Sequence, residues 1–229
     1  MCARQGAPRR GARDIFSLHS AAEKGGFPMV ELFYKGGPLM YPLLLGSVLM
    51  IAVVIERGIH FIGTGVNRKF IDTIKSLIER REFDAALNIS EETRGPVPEV
   101  ICEMLKFRRY TQDVVENEIS IRGDQILRGL SKNLHLLELI GKIAPMIGLL
   151  GTVMGMVEAF QKVAVVKDMV NPSVLASGIW EALITTVGGL FVGIPALVFH
   201  HLYQNKLKSV AFSMKHHAEE IYSMTKGVM

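Results

Sequence analysis

Two cysteines, Cys2 and Cys102, are all the chain contains; two thiols near such different surroundings build neither a disulfide framework nor a thiolate zinc site within one polypeptide. Nine prolines and 22 glycines without a repeating period exclude collagen-like and low-complexity architectures. Charge is sparse as well: 21% of the 229 residues are Asp, Glu, Lys or Arg, against 49% hydrophobic, with a mean hydropathy of +0.28. That balance excludes intrinsic disorder of the whole chain and points to a bilayer. A net charge of +4 and a pI near 9.1 do not indicate nucleic acid, because bases and acids are interleaved along the sequence. Enzyme signatures are missing. There is no phosphate loop of P-loop spacing, no serine in the third apolar run to accompany His200 and His201, and no acidic cluster beside the neighbouring pair His216-His217. No metal, cofactor or catalysis is expected.

Three long apolar runs are what the chain does have. Residues 38–55, PLMYPLLLGSVLMIAVVI, are uncharged and as a helix rising about 1.5 Å per residue would cover roughly 27 Å, the hydrocarbon thickness of a bilayer. Tyr41 suits one interface, and Glu56-Arg57 closes the run at the other. Residues 143–157, IAPMIGLLGTVMGMV, are flanked by Glu138/Lys142 and Glu158/Lys162, each pair four residues apart, so that a helix lets each carboxylate reach its own ammonium. Residues 182–199, ALITTVGGLFVGIPALVF, follow Trp180 and precede His200, His201 and Tyr203, all suited to an interface. The expected fold is all-α, with three membrane spans.

Between the first two runs the pattern is helical. Phe70, Ile74, Leu77 and Ile78 make one stripe, a short helix begins near Glu82, and Gly95-Pro96-Val97-Pro98 breaks the chain before Val100, Ile101, Met104 and Leu105. Val115, Ile119, Ile126, Leu130, Leu134 and Leu137 recur at spacings of three, four and seven with no proline, which predicts one long helix entering the second span.

The arginines and lysines then set an orientation. They crowd residues 64–133 and the tail, whereas only Lys162 and Lys167 lie between spans two and three. The expected layout is a disordered N-terminal extension over 1–28, an external N-terminus and first span over 29–63, and a cytoplasmic helical region over 64–133. The second span follows over 134–162, an external loop over 163–176, the third span over 177–205 and a cytoplasmic C-terminal helix over 206–229. The basic residues Arg4, Arg9, Arg10, Arg13 and Lys24 conflict with an external N-terminus; a start at Met29 would remove the conflict.

Polar residues inside hydrocarbon are costly and so informative. They are Thr152 in the second span, Thr185 and Thr186 in the third, and Glu181, which has no base at 177 or 185 to neutralise it. At about 100° per residue, Glu181 and Thr185 lie roughly 40° apart and Glu181 and Thr186 roughly 140°, so helix geometry pairs Glu181 with Thr185. Gly148, Gly151 and Gly155 surround Thr152, and Gly188, Gly189 and Gly193 follow Thr186. These small residues let helices approach closely, and they are expected to serve contacts between subunits. Pro145 and Pro195 are the expected kinks, with Pro195 freeing a carbonyl near Phe191.

The runs IAPMIGLLGTVMGMVEAF and GIWEALITTVGGLFVGIPALVFHH resemble the second and third membrane helices of the MotA/TolQ/ExbB proton-channel family, most of all its three-span TolQ and ExbB branch. The resemblance extends from about Tyr34 to the C-terminus. It places the family's two pore threonines at Thr152 and Thr186 and its outer glutamate at Glu181. Thr185 stands where a small apolar residue is common, so which of Thr185 and Thr186 lines a lumen stays open. The resemblance implies a homopentameric ring in a bacterial inner membrane around a TolR- or ExbD-like single-span partner with a membrane aspartate, acting on a TonB- or TolA-like protein. The function it implies is that of a channel-forming stator subunit driven by proton-motive force. Its alternatives are a flagellar-type stator, which resembles a four-span arrangement, and a non-conducting membrane scaffold.

Overall fold

The computed structural model describes residues 36–65, 67–165 and 172–228; the 1–28 extension and the middle of the 163–176 loop lie outside them. Among the described residues every regular element is a helix: α1 Met40–Ile62, α2 Arg68–Glu79, α3 Phe83–Glu92, α4 Pro96–Lys106, α5 Gln112–Ser131, α6 Leu134–Val165 and α7 Pro172–Val228. Three of them, α1, α6 and α7, are long and apolar enough to cross a membrane.

Each break has a local cause. The Asn67 side chain accepts from the Lys69 amide at 3.1 Å and caps α2. Gly95 at φ 144° supplies a turn closed to other residues, and Pro96 opens α4 with a φ already suited to a helix. The long helix expected from Val115 to the second span is instead two. α5 stops at Ser131 and α6 starts at Leu134, with Asn133 left-handed at φ 64°. Asparagine tolerates that conformation better than most residues, and its amide nitrogen donates to Glu56 Oε2 at 3.0 Å. The apolar stripe continues across the break, which hid it from periodicity.

The third span and the C-terminal helix are one continuous rod, α7, of 57 residues. Its distal half carries Val210, Met214, Ala218 and Ile221 into the core of the non-membrane region, against Ile74, Ile78, Ile101, Met104, Leu105 and Val115. Burying each such aliphatic side chain contributes about 1.5–3 kcal/mol, so the small helices are gathered around α7. Cys102 lies buried at the edge of this core, and burial pushes its thiol above the ordinary range, which leaves it a weak nucleophile.

Where α5 gives way to α6, three membrane helices are tied together. Arg57, 2% exposed, donates through Nη1 to the carbonyls of Gly129 (3.3 Å) and Leu130 (3.4 Å), and through Nη2 to Glu56 Oε1 at 2.5 Å. A cation there satisfies the orphan carbonyls at the C-terminus of α5 and complements its dipole. The Tyr203 hydroxyl donates to the Val54 carbonyl at 2.7 Å, and its ring stacks on Phe61. His200, expected at an interface, is buried and donates Nδ1–H to the Leu134 carbonyl at 3.0 Å, the tautomer a carbonyl partner requires.

Candidate functional site

α6 and α7 pair antiparallel along their small residues. A Cβ added to Gly189 would stand 2.5 Å from the Ala144 carbonyl oxygen and 3.0 Å from Gly148 Cα; one on Gly155 would meet Ala182 Cβ at 2.8 Å, and one on Gly193 the Pro145 ring at 2.6 Å. Gly151 packs against the Thr185 side chain. Gly188 is the exception, since it faces Met40 and Leu43 of α1. The expectation that these glycines serve contacts between subunits is therefore corrected for α6 and α7: their close approach is used inside one chain. Both helices run on through Pro145 and Pro195. Pro145 has no N–H to offer Gly141, whose carbonyl lies against Gly193.

Sequence reasoning passed over Gly141, which seats Leu197, and Gly178, which seats Ala159. A signal for the first was present: Gly141, Gly148 and Gly155 are spaced by seven, the repeat of a two-helix seam.

The three threonines part company. Thr185 is buried, 3% exposed, and donates to the carbonyl of Ala182 in its own helix at 2.6 Å. Thr152 is half-buried and donates to the Leu149 carbonyl at 2.7 Å. Thr186, also half-buried, crosses to α6 and donates to the Gly148 carbonyl at 2.9 Å. Gly148 stands one helical turn before Thr152, so the Thr186 bond reaches α6 a turn away from Thr152, whose own hydroxyl serves Leu149.

Glu181 is exposed and sits elsewhere, at the end where α6 and α7 connect. There a cavity of about 310 Å³ opens between the Gly36-Gly37-Pro38 turn, α6 and α7, and Glu181 and Thr185 both line it, as do Glu158 and Lys162. Glu181 and Thr185, which helix angle put on one side of α7, share this cavity, and Thr152 and Thr186 do not border it. The Glu158/Lys162 ion pair expected from spacing is not made, whereas Lys142 and Glu138 do pair at 2.5 Å. Glu158 and Lys162 border the cavity instead of each other.

The MotA/TolQ/ExbB proton channel family profile matches residues 92–216. The biopolymer transport protein exbB1 of Vibrio cholerae is 29% identical over 177 residues, 73% of this chain and 75% of that protein. The ExbB-like 1 biopolymer transport protein of Synechocystis is 31% identical over 175 residues, 74% of this chain and 68% of that protein. Salmonella typhimurium ExbB is 27% identical over 182 residues, covering 75% and 73%. These are transport proteins, not enzymes. A seam of small residues between two spanning helices, hydroxyls on its flank and carboxylates at one end thus belong to a chain of the MotA/TolQ/ExbB proton channel family.

Proposed function

We propose that this chain is the channel-forming stator subunit of a TolQ/ExbB-type motor, coupling proton flow across a bacterial inner membrane to mechanical work. The subunits form a homopentameric ring around a TolR/ExbD-like single-span partner, and the work reaches a TonB/TolA-like protein. Residues 64–133 and 206–229 lie in the cytoplasm and the N-terminus outside.

The observation that supports it best is the bond of the Thr186 hydroxyl across the helix pair to the Gly148 carbonyl, one helical turn from Thr152. Both hydroxyls sit half-buried on the flank of the seam, beside the exposed apolar residues Leu149, Leu183 and Leu190. Neither hydroxyl carries charge near neutral pH, but each accepts as well as donates a hydrogen bond. A carboxylic acid presented by a partner helix would find there a hydroxyl to bond and a water chain to trade its proton with. Each proton crossing 100 mV releases about 2.3 kcal/mol, enough for repeated small strokes.

The test is proton flux into vesicles holding the chain with its single-span partner, read by a pH-sensitive dye. Flux should appear with the native pair and collapse in Thr152→Val with Thr186→Val. Equal flux from the double variant would take both threonines off the pathway, and no flux from the native pair would reduce the chain to a scaffold.

A further inference from the structure

The cavity at the connection of α6 and α7 has a composition that a dry void does not have. Its volume, about 310 Å³, is many times the roughly 30 Å³ that one liquid water occupies. Glu158, Lys162 and Glu181 border it, and among the described residues none of the three makes an ion pair or a side-chain hydrogen bond. Genuinely empty cavities are apolar, whereas roomy ones with polar walls hold water. All three are exposed, and charges at the margin of hydrocarbon are costly unless water reaches them.

A second hollow serves as contrast. The groove of about 220 Å³ between α1 and α6 is walled by Leu45, Leu49, Leu139 and Ile143 and has almost nothing polar in it, which suits an acyl chain.

The arc of α6 that faces the first cavity runs through Gly151, Met154, Gly155, Glu158 and Lys162, so its wall spans about three helical turns. Its floor is Thr185, whose side chain fills the space left by Gly151.

We propose that this cavity is a water-filled mouth inside each single subunit, through which hydrated protons reach Glu181 from the connecting-loop end, with Glu158 and Lys162 as its charged rim. A ring would then have one mouth per subunit beside its central lumen. The inference rests on the proton-conducting reading above, but its test reads water and not flux.

Single cysteines are placed at Ser177, Met154 and Val157 in the full-length chain, with Cys2→Ala and Cys102→Ala, in membranes that also hold the partner. A membrane-impermeant, positively charged thiosulfonate is added from each side in turn. Ser177 stands at the rim, and Met154 and Val157 are about equally exposed (46% and 49%) one turn apart, but only Met154 borders the cavity. A thiol reacts through its thiolate, which needs water, so Met154→Cys should react from the same side as Ser177→Cys and within about tenfold of its rate, with Val157→Cys about a hundredfold slower. Protection of Met154→Cys to the level of Val157→Cys would overturn the mouth. Equal reaction of both would also overturn it, since water would then surround the helix instead of filling one pocket. Reaction of Met154→Cys alone, in membranes where flux is absent, would leave the mouth standing and count against the conducting reading only.

Discussion

Thr186 of α7 donates its hydroxyl proton across the helix pair to the carbonyl of Gly148, at 2.9 Å, and no side chain at 148 stands between them. The bond depends on glycine: a Cβ at 148 would lie 3.0 Å from Thr186 Cα and from the Thr185 carbonyl oxygen. The seam and the Thr186 bond across it are thus one construction.

Replacing Thr186 by Val keeps the volume and removes this bond. Stability should fall by about 1 kcal/mol, while proton-driven transport falls far more steeply than that loss explains, with partial recovery in Thr186→Ser. Thr185→Val should be milder, because its hydroxyl serves only its own helix. Side-by-side transport assays and thermal melts of the three variants check this.

Substitutions in the seam should unfold the chain instead of merely loosening a ring. Gly189→Leu drives a side chain into the Ala144 carbonyl; overpacking of this kind costs about 1–3 kcal/mol or more. The variant should show a lowered melting temperature and faster proteolysis even as a dissociated monomer. Leu44→Ile, on the exposed face of α1, should change neither.

Three spans and a paired glycine face were legible because each depends on residues close in sequence: a run of apolar side chains, or small residues at helical spacing. The break at Asn133 was not, since Leu130, Leu134 and Leu137 keep one apolar stripe on both sides of it and the turn is held by Glu56, 77 residues away. Glu158 and Lys162 misled for a related reason. Spacing permits their contact, but the cavity beside α7 supplies another place for both side chains. The resemblance picked out Thr186 and helix angles picked out Thr185; the two answers describe different places, the α6 junction and the cavity floor.

Arg57→Met should cost roughly 2–4 kcal/mol, because two carbonyls at the end of α5 lose a charged donor in a buried setting. Arg57→Lys should restore less than half, as one ammonium lacks the fork that serves two carbonyls and a carboxylate together. Circular dichroism melts in detergent measure both, and the loss should begin with the detachment of α5.

Acid should loosen the contact of α2 with α7. Lys75 Nζ bonds Glu220 Oε1 at 2.5 Å, and His217 adds a weaker contact at 3.4 Å. The Lys75 bond, with help from His217, holds the Glu220 carboxyl below its usual 4.5. A carboxylate with a depressed folded pKa stabilises above the unfolded value and loses that contribution as pH falls through the folded one. Wild type should therefore melt higher than Glu220→Gln at about pH 6, with the gap closing only below the ordinary carboxylate range. A gap that persists unchanged into strong acid would show that the ion pair contributes nothing.

The uninterrupted α7 has a mechanical corollary. From His201 to Val228 it reaches roughly 40 Å beyond the apolar run, and the helices of the non-membrane core grip it along that length. A stiff lever of this kind magnifies: tilting its membrane end by about 5° swings the far tip by about 4 Å. A sub-ångström readjustment of α7 beyond Pro195, the one proline inside the helix, would arrive at the distal helices as a movement wide enough to make or break a contact.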